Sequence, residues 1–513
     1  MSNSFTILRA RVIYGICLPL AIWLGFSLAT PDDRGTLAMM GLILFVLLLP
    51  LLLLWHHPLL VCCWNMSAVV FFLPGKLELW MVMAYLSLII ALVQRALNPN
   101  LKFLKVKPVA VPLVFITVVV CVTAWMTGGF GMRAMGDATY GAKRYLMIIS
   151  AIAGFFALTS RQIPAARARW YVAGYFLFGL TAVIPDLVTV VSPSLYFIFL
   201  VFPADFTSIY QVNANTFNLI SRWAGLAMAS QTLIYYLLSV YGIRALLQRR
   251  HWWAGLLFVL AFGFLPLGGF RSGFILIVLI FGVVFYLEGL LRSRLLPVIL
   301  IGMILTSAAV LPFLNKFPLA VQRTFSFLPV QVDPVALADA QASTEWRVRM
   351  WKTLFPQVPQ YLMLGKGFGI NGAELEFAQN MVARGGDNAD IASMAGDYHS
   401  GPLSVIIPLG IWGVIGFLWF LAAAIRALYL NHRYGEPGLK RINTFLFAYF
   451  VARTFFFLAV YGSLYAEFFI FTGLLGLSIS LNGGICRPTT KPKPVVGFKK
   501  PPRHLSPQPA AAS

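Results

Sequence analysis

SGPLSVIIPLGIWGVIGFLWFLAAAI, residues 400–425, runs for 26 positions without a charged side chain. A helix of that length rises about 39 Å, more than the roughly 30 Å hydrocarbon core of a bilayer. The rest of the chain repeats the pattern. Of 513 residues, 59% are hydrophobic and 11% charged, with a mean hydropathy of +0.81. A soluble core cannot use that much apolar surface, and the runs are continuous rather than alternating, which excludes a membrane β-barrel. The expected fold class is all-α, a polytopic membrane protein of about fourteen spans. They fall near 12–29, 36–55, 58–73, 77–94, 109–127, 143–159, 170–191, 222–241, 252–268, 272–290, 295–312, 400–425, 442–460 and 467–481. No small-residue cleavage site follows the first, so it is expected to stay in place.

Charge sets the expected orientation. With the N-terminus inside, the inner connections and the tail hold 24 Lys/Arg against Glu288 and Glu436, while the outer set holds 14 Lys/Arg against 14 Asp/Glu. The net charge of +22 therefore falls on one face, as the positive-inside rule requires of a cytoplasmic side. Both termini are expected to be cytoplasmic, and the basic balance implies membrane lipids as partners and no nucleic acid.

Three outer connections are long: 128–142, 192–221 and 313–399. The last, nearly ninety residues, is large enough to build a site. Within it TEWRVRMWKTLF (344–355) reads as a short amphipathic helix capped by Thr344 and stopped by Pro356. Trp346, Trp351 and Phe355 suit the headgroup zone, so it is expected on the membrane surface. Cys17, Cys62, Cys63, Cys121 and Cys486 fall outside the outer loops, and no disulfide framework is indicated. Zinc-like spacing, a phosphate-binding Gly loop and a dinucleotide fingerprint are all absent, so no metal and no cofactor is expected.

Charged groups at the outer face carry the functional reading. Of six histidines, only His399 is expected outside, where an imidazole can act as a base near neutrality or simply cap the loop. Asp397 can orient its ring or stand as a solvated acid. Arg271, in LPLGGFRSGFILIV, sits in a tight turn between spans, where it meets an anion or snorkels to headgroups. Arg347 and Arg349 lie in the loop helix, and the spacing of Arg347 and Trp351 permits a cation on an aromatic face. Arg453, inside a span, needs a partner, with Asp186 and Glu467 as candidates. Arg222 reads as a headgroup anchor. Two outer arginines suit phosphate oxygens and a base suits an acceptor hydroxyl.

Three stretches then resemble the O-antigen ligase and polymerase superfamily of bacterial inner-membrane proteins: GGFRSGF (268–274), WRVRMWKTLFPQVPQYLMLGKGFG (346–369) and YHSGPLSVIIPLGIWGVIGFL (398–418). They resemble its Ser-Arg-Gly turn, its Arg-x-x-x-Trp helix with a Leu-Gly-x-Gly turn, and its His-Asn-x-x-Leu helix entry. Phe270 and Ser400 depart from the pattern. The resemblance implies a metal-independent, inverting glycosyl transfer at the periplasmic face of the inner membrane. The donor would be a glycan on undecaprenyl diphosphate, and the acceptor a glycan, lipid or protein hydroxyl. Arg271 and Arg347 would hold the diphosphate, Arg349 would be a secondary phosphate ligand, and His399 would deprotonate the acceptor. On this reading 1–254 are N-terminal membrane helices, 255–425 a ligase/polymerase-like core with the periplasmic loop 313–399, 426–481 C-terminal helices, and 482–513 a disordered basic cytoplasmic tail. Gly410, Gly413 and Gly416 are expected to let helices pack closely. The extra spans lean towards a polymerase. A transporter or flippase for a lipid-linked or polyanionic substrate is the competing class, although it would want charges along a path through the bilayer centre.

Overall fold

The computed structural model describes residues 34–488 apart from 102, 105, 133–136, 138, 205–219 and 384–395, with a few isolated positions before residue 34. The expected span 12–29 and the tail beyond 488 lie outside the described residues. Among the described residues, ten helices are long and apolar enough to cross a membrane by length and composition, and Arg271–Leu287 is a shorter apolar one. Strand is confined there to two antiparallel pairs of two-residue strands: β1 (Val69–Val70) with β2 (Leu77–Glu78), and β3 (Thr139–Tyr140) with β4 (Ile370–Asn371).

The apolar runs become helices in chain order. The first are α1 (Arg34–Cys63), α2 (Leu79–Leu97), α3 (Lys107–Thr127), α4 (Ala142–Leu158), α5 (Ala168–Leu177) and α6 (Ile184–Val191). Next come α7 (Ala224–Leu246), α8 (Trp252–Phe264), α9 (Arg271–Leu287) and α10 (Leu295–Val310). The cap helices α11 (Leu319–Phe325) and α12 (Pro334–Leu354) lead to α13 (Gly401–Tyr434), α14 (Lys440–Ala459) and α15 (Leu464–Asn482).

One expectation fails here. Residues 58–73 are not a span: the helix that holds 36–55 continues through 56–57 to Cys63, and β1 follows a turn. Two adjacent histidines read as a polar break, but each imidazole is satisfied inside the bundle. His56 Nδ1 lies 2.8 Å from Ser87 Oγ on α2, and His57 Nε2 donates to Leu158 O at the end of α4 (2.9 Å). Both are buried rather than in a cytoplasmic connection.

The helix α15 forms the centre of the bundle, with 78% of its apolar window buried, whereas none of the window of Leu295–Lys316 is. Phe417, Phe457 and Phe471 pack mutually around α13, α14 and α15. This rigid centre fixes the ends of α9, α13, α14 and α15 that carry the groups discussed below.

A break in α13 positions the loop from α12. Pro408 removes a backbone donor, and Gly410 takes φ +63°, ψ −162°. The freed groups are paired by the turn at 362–367. Lys366 N–H donates to Ile407 O (2.7 Å), Gly367 N–H to Pro408 O (2.9 Å), and Ile411 N–H to Leu362 O (2.7 Å). The Gly410 expectation is thereby corrected. It breaks the helix to receive a loop, and of the three glycines only Gly416 faces a neighbouring helix, at Phe115 and Ile116 of α3. A Cβ at Gly410 would also stand 2.8 Å from Leu362 O. Gly410→Ala is expected to cost about 1–2 kcal/mol or more, read as a lower melting temperature in lipid.

Candidate functional site

The cap helix α12 gathers the site. It begins ten residues earlier than the amphipathic segment expected at 344–355. Asp333, followed by Pro334, is the N-cap, with its Oδ1 accepting from Val335 N–H (2.8 Å). Thr344 is therefore inside the helix and does not cap it. Nor does the tryptophan face lie against lipid. Trp346 and Trp351 pack on a buried cluster of Met350, Leu354, Tyr398, Leu403 and Ile407, which docks α12 on the start of α13. Only Phe355 is strongly exposed.

Arg271 starts α9 and meets α12 one face on. Its Nη2 donates to Ala340 O (2.7 Å) and to Thr344 Oγ1 (2.9 Å). Six residues along the same helix from Ala340, Trp346 contacts the His399 ring edge-on with centroids 5.0 Å apart. That separation is about 9 Å of helix rise. Arg347 follows Trp346, so one stretch of less than three turns touches or carries all three residues expected to act together.

Around Arg271 lies more positive charge than the sequence suggested. Arg323 on α11 pairs with Asp339 and donates to Gly269 O. Arg222 reaches the same carboxylate oxygen from before α7 (2.8 Å), so it is part of this cluster and not a headgroup anchor. The charges of Arg323 and Arg347 act on Arg271, and Asp339 opposes them. Burial lowers the pKa of Arg347, and the Arg323 charge adds to the effect, against the pull of Tyr461. Arg222 and Arg323 thus share one half-exposed carboxylate, and Arg271 feels its charge. The Nε of Arg347 is buried without a hydrogen-bond partner. Guanidinium groups so placed suit the oxygens of an anion. Arg349 is exposed on α12 and is not among the charges acting on Arg271, Arg347 or His399.

His399 sits at φ +46°, a left-handed conformation uncommon outside glycine and costing about 1–3 kcal/mol. The Trp351 indole N–H holds the preceding carbonyl, Tyr398 O, at 3.0 Å. The ring is set between Trp346 and Tyr461, the latter with centroids 5.4 Å away. Asp397 Oδ2 lies 3.6 Å from Nε2, close enough to act electrostatically and too far for a hydrogen bond. Burial lowers the His399 pKa below its ordinary 6.5, opposed by Asp397 and reinforced by the Arg347 charge. The imidazole is therefore neutral at pH 7 and able to accept a proton, and its Nδ1 is buried without a hydrogen-bond partner.

Tyr461, in the connection between α14 and α15, was not singled out by sequence. The Arg347 guanidinium lies 6.0 Å from its ring centroid, so the aromatic partner of Arg347 is Tyr461 rather than Trp351. One ring thus packs on both Arg347 and His399. Tyr461→Leu is expected to lower kcat about tenfold or more with the fold intact, since misplacement by about 1 Å costs up to 10²-fold. Tyr461→Phe is expected to keep most activity, and a kcat comparison of the two checks it. Beneath this layer Arg453 pairs with Glu467 at 3.0 Å. Of the two candidates for that partner the structure selects Glu467, while Asp186 accepts from Leu226 N–H (2.9 Å).

Among the described residues no group of three or more His, Cys, Asp or Glu side chains is placed to hold a metal ion. Residues 256–418 match the family model described as O-antigen ligase. No curated protein matches the chain. The matched range contains Arg271, Arg323, Asp339, Arg347 and His399; Arg222 and Tyr461 lie outside it.

Proposed function

We propose that the chain, whose residues 256–418 match the O-antigen ligase family model, transfers a glycan from undecaprenyl diphosphate to an acceptor hydroxyl, at the periplasmic face of a bacterial inner membrane. Membrane glycosyl transfer in general follows from the family, and the rest is our reading of the site. The observation that carries it is the convergence on α12: Arg271 at Ala340 and Thr344, Arg347 on the helix itself, and His399 against Trp346.

In this reading the diphosphate of the donor enters the arginine cluster. Arg271 already spends Nη2 on α12, which fixes the plane of its guanidinium. As the glycosidic C1–O bond breaks, negative charge grows on the departing diphosphate. Fixed guanidinium groups in a half-buried setting stabilise that charge without reorganising. His399, neutral at pH 7, takes the proton from the acceptor hydroxyl as its oxygen bonds to C1. Attack opposite the leaving group inverts the anomeric centre, and no metal is required because the arginines take the role of counter-charge.

The acceptor divides the family, and the motif departures at Phe270 and Ser400 lean us towards a polymerase, in which the acceptor is a second lipid-linked glycan. The test uses the purified protein in lipid with the cell's own undecaprenyl-diphosphate oligosaccharide, adding acceptors singly. A ladder of lengthened lipid-linked products indicates a polymerase; a single transfer to lipid A core indicates a ligase. NMR of the new linkage is expected to show the anomer opposite to the donor's, and retention would overturn the one-step scheme.

The pH dependence follows from the sign of the His399 shift. A base must be unprotonated, and a lowered pKa keeps it so at neutrality, so kcat/KM should be flat near pH 7 and fall on an acid limb below pH 6.5. Asp397→Asn removes the interaction that favours the imidazolium and should move that limb to still lower pH. A pH–rate profile of both proteins checks the two statements together.

A further inference from the structure

A cavity of about 700 Å³ lies in the cap, behind the arginine cluster, and has no part in the scheme above. Asn315, Ser326, Gln331 and Asp333 line it, with Leu328 and Leu337 among its apolar walls. The short helix α11 joins it to the cluster. Gln322 ties the cavity walls together, donating to Asn315 O (3.1 Å) and Phe317 O (2.8 Å) and accepting from Asp333 N–H (2.6 Å). The next residue, Arg323, faces the other way, to Asp339 and Gly269 O. A ligand gripped by the arginines is therefore one helix away from this cavity.

The two compartments differ in chemistry. Among the described residues no lysine or arginine lines the cavity, and the carboxylate there, Asp333, is engaged at the α12 N-terminus. What remains are planar amides, a hydroxyl and short apolar walls, with the exposed ring of Phe327 between two lining residues. Amides that donate and accept at once suit vicinal hydroxyl groups, and apolar walls suit the C–H faces of a pyranose. A second phosphate would find no counter-charge here. The volume accommodates a few sugar rings.

We propose that this cavity is a saccharide-binding subsite for the uncharged, hydroxylated part of a glycan substrate of the transfer reaction. The inference rests on the proposed function for its choice of glycan, and its test is separable from catalysis. The probe is the free oligosaccharide released by mild acid from the cell's undecaprenyl-diphosphate glycans, carrying neither lipid nor diphosphate. Saturation-transfer NMR is run on the protein in nanodiscs, wild type beside Asn315→Leu/Gln331→Leu, two exposed positions whose side chains hold no fold contact named above. Wild type should saturate the sugar-ring protons, the double variant at least fivefold less, and Arg271→Ala as strongly as wild type.

Equal signal in wild type and the double variant, or none in wild type, overturns the proposal. Sugar binding that is lost in the double variant supports it even if no transfer is ever detected, in which case only the catalytic reading falls. In the transfer assay the double variant should raise one KM about tenfold with kcat unchanged. A rise in the donor's KM that grows with glycan length places the donor glycan there, a rise in the acceptor's KM places the acceptor, and no rise in either overturns the proposal.

Discussion

His399→Ala should lower the rate of glycan transfer about 10²–10⁴-fold, the usual contribution of a positioned general base. The effect is expected on kcat, with little change in donor KM, because the imidazole meets the acceptor proton and not the diphosphate. Alanine keeps the Cβ, so the φ +46° strain stays, and the variant should melt lower than wild type by no more than the packing between Trp346 and Tyr461 contributes. Stopped or single-turnover kinetics beside a thermal melt read both quantities. A variant that keeps a tenth of the wild-type rate contradicts a base role for His399.

Arg347→Ala is expected to cost about 10²–10³-fold, as removal of one preorganised donor at a developing negative charge does. Its Nε is already buried without a partner, so the group is poised at the expense of stability. Truncation removes that unpaired burial together with a charge repelled by Arg323, and the folded state should be as stable as wild type or more so. Arg347→Lys should recover little, because an ammonium lacks the planar fork that matches two phosphate oxygens. Activity lost with stability kept is the signature that separates a substrate-binding arginine from a structural one.

Much of the site was legible because membrane segments tolerate few charges. Arg271 and His399 stand out against apolar runs, and Arg347 lies in the loop's one Trp-flanked helix. Arg323 and Asp339 were not visible in the same way. They sit 16 residues apart on two cap helices, and only the α11–α12 turn brings them together. Arg222 read as a headgroup anchor for the same reason, its carboxylate partner being 117 residues away. The Asp333-Pro334 start of α12 carried a recognisable cap signal that the Thr344 reading overlooked. Tyr461 bore no charge and no motif, and nothing in a lone sequence marks the ring that will receive a distant guanidinium. His56 and His57 mislead in the opposite direction, since a polar pair inside an apolar run reads as a connection although neighbouring helices satisfy it.

In the proposed reaction Arg271, Arg347 and His399 perform a metal-independent glycosyl transfer. The most direct measurement is the release of free undecaprenyl diphosphate from an undecaprenyl-diphosphate oligosaccharide, with EDTA and an acceptor present, by wild type, Arg271→Ala, Arg347→Ala and His399→Ala in lipid. Wild type should show acceptor-dependent release, undiminished by EDTA and reduced at least a hundredfold in the Arg347 and His399 variants. Release that EDTA abolishes, or that all three variants sustain at the wild-type rate, would contradict it.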